Sequence, residues 1–308
     1  MSDEAAALIL LSLARWITDF GIVWLVGVCT LRFIIVGVGV NRSGFGLDDL
    51  DRRLVYHTGL ALALLLIAAA ARLYAQTYSS FGLDEPVTRE LLQLVAEQTR
   101  WGGRWRLQAV VLVVALLVVP LLVFRVRGAW WTLVVVTLGV VTTAPLTGHA
   151  IAYSGGAAVP MMLQIGHLAA AGIWLGTLLV VVLVALPVFR RTTHNDGLSV
   201  SCLIERFSPI ALAAAITLAL TGVLTALLYI DEIPQLWHTI YGRVLALKTA
   251  LFGVTALLGA YNWRRVRPRL TVVAGIDRLR WVAIAELLIA LSVLTVTAFL
   301  VHLPMPHE

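Results

Sequence analysis

Eight long apolar stretches constrain this chain more than any other feature. They run at roughly 16 to 40, 54 to 75, 107 to 124, 129 to 147, 161 to 187, 207 to 229, 241 to 262 and 281 to 301. Each is near or above the about 20 residues that a helix needs to cross a hydrocarbon layer. No polar block between them is large enough to fold alone. The composition agrees: 60% of the 308 residues are hydrophobic and 13% charged, with mean hydropathy +0.93, more apolar surface than a soluble core can use. The expected fold is all-α, a polytopic integral membrane protein with eight transmembrane helices in a single membrane domain, 1–308. The first run extends back to Ala5 if a turn or kink stands near Trp16.

Charge sets the expected orientation. The net +6 comes from 22 arginines and one lysine against 17 acids, and the arginines flank apolar runs as topology signals do. Alternate loops carry Arg42, Arg52 and Arg53, then Arg125 and Arg127, then Arg190, Arg191 and Arg206, and finally the cluster from Arg264 to Arg280. That side is expected to be cytoplasmic, with both termini periplasmic. The opposite loops are uncharged at 148–160 and acidic at "YIDEIPQ", while Arg89, Arg100, Arg104 and Arg106 in the 76–106 loop break the pattern. Within that loop "EPVTRELLQLVAEQTRW" spaces its leucines as a helix, either lying on the membrane surface or packed on the bundle. The start "MSDEAAALIL" has no basic region, so the first run is expected to be retained rather than cleaved as a signal. Cys29 and Cys202 do not suggest a disulfide.

A faint repeat suggests two four-helix halves, 1–150 and 151–308. Residues 50–74 and 204–229 each open on an acid-Arg pair and close on Leu-Tyr, and "GIVWLVG" (21–27) echoes "GIWLG" (172–176). Parallel halves would follow; low complexity produces the same echo.

Potential metal ligands are gathered on one side. His149, His167, His238, His302 and His307 fall on the expected outer side, as do Met161, Met162 and Met305, which are all the methionines except the initiator. His57 and His194 lie inward. Imidazole and thioether together favour soft or borderline ions, Cu(I) and Cu(II) foremost. His167 stands seven residues past Pro160, about 10 Å along its helix and inside the outer leaflet, with Trp174 two turns deeper on its face. A ring at that depth faces protein or a wet cavity. Each residue also has a structural reading: a hydrogen-bonded histidine, a loop cap, or a helix anchor. Only the coincidence on one side favours metal.

The segments "IGHLAAAGIWLGTLL" (165–179), "ERFSPIALAAAITLALTGVL" (205–224), "YGRVLALKTALFGVTALLGAYNWRRV" (241–266) and "AELLIALSVLTVTAFLVHLPMP" (285–306) resemble the copper-resistance CopD family. The likeness is close in the second half and weak in the first. It implies a bacterial cell inner-membrane protein with eight helices that takes copper from the periplasm, often alongside the copper-binding protein CopC. No fused CopC-like domain is expected here, so a separate periplasmic CopC-like partner would supply that role. Matching motif positions carry over His167, Trp174, Arg206, Tyr241, Gly242, Arg243, Lys248 and Glu286. Ligand roles are expected first of His149 and His167, then of Met161, Met162, His238, His302 and Met305.

Two charges lie inside apolar runs. Lys248 is about 20 Å from the inner border and Glu286 about 8 Å, so direct contact between them is not expected. Asp19, Arg15, Arg32 or backbone carbonyls are the alternative partners, and both helix locking and a transport path fit. Thr217, Thr221 and Thr225 form a hydroxyl stripe, a polar path or packing glue like Gly172 with Gly176. Three functions compete: a copper permease with an exit near Cys29 and His57, a copper receptor that does not transport, and a haem b carrier using His149 with His167 or His302. No HExxH, phosphate loop or nucleophile–base pair points to an enzyme.

Overall fold

The computed structural model describes residues 3–37, 47–82, 86–148, 156–189, 196–230, 232–267 and 273–303. His149, His194, Met305 and His307 lie outside them. Among the described residues eight helices are long and apolar enough to cross a membrane: Glu4–Ile34, Asp49–Phe81, Arg100–Val123, Ala129–Thr147, Ala158–Phe189, Val200–Tyr229, Ile240–Val266 and Asp277–Leu300. They are called the first to eighth spans below. All eight expected runs are present, mostly longer than hydropathy alone outlines, because polar residues extend the helices beyond the apolar windows. No break occurs near Trp16: the first helix is continuous over Asp3–Gly37, and Trp16 stacks on Phe20 one turn on, with ring centroids 5.4 Å apart.

The first and fifth spans form the centre. Their apolar windows are 61% and 67% buried, against 11% and 6% for the sixth and seventh. Glycine allows this core to close. A Cβ on Gly176 would lie 1.9 Å from the Val23 carbonyl oxygen, and one on Gly27 would lie 2.1 Å from the Gly176 carbonyl carbon. Backbones therefore touch where the "GIVWLVG" and "GIWLG" segments meet, the close approach that small residues permit between membrane helices.

Among the described residues three π-turns interrupt the helices, at Gly172–Gly176 and Val181–Ala185 in the fifth span and Asn262–Val266 at the end of the seventh. Such turns shift the register of the side chains that follow them.

The loop helix forms over Arg89–Gln98 and packs against the second and third spans with Val95 buried. Thr88 caps it by accepting the Leu91 amide at 3.3 Å, and Thr99 then caps the third span by accepting Gly102 N–H at 2.8 Å. Hydrogen bonds from the backbone and Thr88 hold the Glu90 carboxyl below its ordinary value.

Candidate functional site

The fifth span begins at Ala158, and its His167 faces the sixth span, against which this helix packs. There it lines a cavity of about 150 Å³ with Gln164, Thr225, Tyr229, Tyr241 and Lys248. His167 Nδ1 lies 2.9 Å from Thr221 Oγ1. The Thr221 hydroxyl already donates its proton to the Thr217 carbonyl at 2.7 Å. Its oxygen therefore accepts from the ring, so Nδ1 carries the hydrogen and Nε2 keeps the lone pair. A hydroxyl that fixes the tautomer in this way presents the other nitrogen as a ligand. Gly222 lies beside the ring, where an added Cβ would meet His167 Cε1 at 3.5 Å, an ordinary van der Waals contact.

The threonine stripe is thereby divided in role. Thr217, Thr221 and Thr225 each bond the carbonyl four residues back, at 2.9, 2.7 and 2.7 Å. Only Thr221 also reaches another helix, and only Thr225 also lines the cavity.

A second cavity of about 220 Å³ lies alongside, lined by Arg15, Arg72, Gln76, Trp101, Thr147 and His302, with Val301 common to both. Arg15 Nε donates to Asp19 Oδ2 at 2.8 Å, each side chain only 7% exposed. Arg72 donates to Gln108 Oε1 at 2.9 Å and to the Thr147 hydroxyl. Asp19 and Arg15 also lie within electrostatic reach of Lys248, although Arg15 lines the second cavity and Lys248 the first. His302 belongs to this second cavity, its Nδ1 2.9 Å from the Ala298 carbonyl and 3.4 Å from Ser12 Oγ.

The remaining expected ligands are dispersed. Met161 is half-buried and Met162 exposed, while His238 is exposed on a short helix, Gln235–His238; none of the three lines the His167 cavity. Among the described residues no group of three or more His, Cys, Asp or Glu could hold a metal ion. At the opposite end, Cys29 Sγ pairs with Thr137 Oγ1 at 3.6 Å, whereas His57 packs on Trp24.

Glu286 occupies a separate place. It is 2% exposed and accepts from Trp174 Nε1 at 3.0 Å and Asn262 Nδ2 at 3.4 Å. Trp174 and Asn262 both stand on π-turns, so two register shifts in different helices bring donors to one carboxylate. Lys248 and Glu286 line different cavities, as their depths required.

Sequence reasoning missed Arg72, Gln108 and Gln164. Arg72 and Gln108 sit within apolar runs, a polar residue at membrane depth being the signal that marks them.

Residues 202–300 match Copper resistance protein D, and residues 1–159 match the Copper resistance protein D-like N-terminal domain. The chain belongs to the copper resistance protein D family. The Copper transport protein CutJ of Bacillus subtilis (strain 168) is 31% identical over 215 residues, 68% of this chain. The chain spans 38% of the length of that relative. No solved structure matches significantly. In this CopD-family protein the N-terminal match ends at 159 and the other begins at 202, so His167 and Trp174 fall between the matched segments.

Proposed function

We propose that this protein binds copper in the His167 cavity and carries it across the bacterial inner membrane toward the cytoplasm, as a permease rather than an enzyme. The observation that supports it most is the Thr221 contact, which leaves His167 Nε2 as a neutral donor in a cavity between helices. Tyr229, Tyr241 and Gln164 add oxygen and amide groups around it. Such a set suits a borderline ion.

Lys248 has a definite part in this reading. An ammonium within electrostatic reach of His167 weakens the residence of a cation there, and conduction requires binding loose enough to leave. His149 and Met305, outside the described residues, are the further candidate ligands, Met161, Met162, His238 and His302 serve capture outside the cavity, and a separate periplasmic CopC-like protein delivers the ion.

Purified protein in vesicles with a copper indicator inside tests the proposal. Uptake that falls in His167→Ala supports a permease. Binding without uptake transfers the protein to the receptor class, and a Soret band in the purified protein would replace both readings with a haem carrier.

A further inference from the structure

The sixth and seventh spans are neighbours that barely touch. Between them runs a slot of about 640 Å³, floored by Trp174 and Leu178 of the fifth span and by Leu279 and Glu286 of the eighth. On the sixth span its wall is one continuous helical face, from Ile204 through Ser208, Ala211 and Ala215 to Ala219. Those 16 residues make a channel about 22 Å long, more than the about 15 Å depth of one leaflet's hydrocarbon. The slot opens on the outer face of the bundle, with Leu212 and Ile216 half-exposed along it, so what surrounds the helices can enter it. The walls are apolar, and at the floor Trp174 and Asn262 both donate to Glu286, with Asn262 Oδ1 alone left without a partner among the described residues, so water is a poor filling. An acyl chain is the matching occupant.

The open end decides which lipid. Trp263, Arg264, Arg267 and Glu205 surround it, at the bundle end opposite the His167 cavity. A half-exposed tryptophan beside arginines is the composition of a membrane–water interface. Two guanidiniums against one carboxylate leave the mouth one positive charge, complementary to a single phosphodiester. Arginine binds phosphate by two parallel N–H donors, and basic pockets between helices hold anionic head groups. The π-turn Asn262–Val266 carries Trp263 and Arg264 on the same turn as Asn262, tying the head-group end to the Glu286 floor.

We propose that the slot is a binding site for one anionic phospholipid of the phosphatidylglycerol type, its chain between the sixth and seventh spans and its phosphate on Arg264 and Arg267. The site is independent of the copper cavity, and its failure would leave the proposed transport reading intact.

The test is native mass spectrometry of the whole protein released from nanodiscs of equal phosphatidylglycerol and phosphatidylcholine, with light scattering in parallel. One retained phosphatidylglycerol, at least tenfold preferred, is expected. Arg264→Gln with Arg267→Gln should abolish the preference, and Ala215→Phe, which fills the slot, should abolish retention while both arginines remain. A thermal scan of each variant separates lost binding from lost fold. Inorganic phosphate added in place of lipid should give no thermal shift; a shift equal to that with phosphatidylglycerol would overturn the chain's part in the site. Equal retention of both lipids, or a preference that survives the double substitution, would overturn the proposal. So would a dimer in light scattering that Ala215→Phe disperses, since a second copy would then occupy the slot.

Discussion

Gly176 rests against Gly27 with no room for a side chain on either. The centre of the bundle is a contact between two backbones from spans separated by some 150 residues of chain, and everything outside it is arranged around that closure.

Gly176→Leu should therefore be among the most damaging single changes in the protein. Its Cβ meets the Val23 carbonyl oxygen at 1.9 Å, an atom that cannot rotate away. Overpacking of about 1–3 kcal/mol at least is expected, read as a lowered Tm in detergent. Gly59→Ala is the control, because nothing lies within 4 Å of the added methyl; it should be neutral or gain about 0.5–1 kcal/mol from helix propensity.

At the His167 cavity, His167→Ala should weaken copper binding at least tenfold with little change in Tm, measured by competition against a chelator. Thr221→Val keeps the ring and removes the hydroxyl that fixes its tautomer. A loss of about 10–100-fold is expected, the usual effect of a group behind a ligand. Unchanged affinity in both variants would show that copper does not use this imidazole.

The Glu286 site gives opposite outcomes for two substitutions. Glu286→Ala strands the Trp174 indole N–H, at a cost of about 1–3 kcal/mol. Glu286→Gln should be neutral or stabilising. Its amide oxygen accepts from Trp174, and its NH2 can donate to Asn262 Oδ1, which is buried and has no hydrogen-bond partner among the described residues. Thermal unfolding followed by tryptophan fluorescence compares the two.

Arg15 and Asp19 form a buried pair, so removing one charge costs more than removing both. Arg15→Met or Asp19→Leu alone should destabilise by about 3–5 kcal/mol, and the double substitution by clearly less than their sum. A double-mutant cycle on unfolding free energies measures the coupling; strict additivity would contradict a paired state.

Much of this architecture is legible in the sequence. Span number follows from apolar run length, and the separation of Lys248 from Glu286 follows from 1.5 Å per residue counted from the helix ends. The pairing of His167 with Thr221 is not legible, although both residues attract notice singly. Where every face of a helix is apolar, hydropathy does not fix its rotation, so which side chains meet across helices is decided by glycine contacts and π-turns. The latter leave no periodic signal. The slot beside the sixth span escapes for the same reason: Ala211, Ala215 and Ala219 read as ordinary packing residues until the neighbouring helix is seen to stand away.

The central position of the first span bears on how the protein is made. The first span carries Arg15, Asp19 and the bare Gly27 surface, and the helix that covers that surface is translated well over a hundred residues later. In order of synthesis the first helix must therefore wait for the fifth before its glycine face can close.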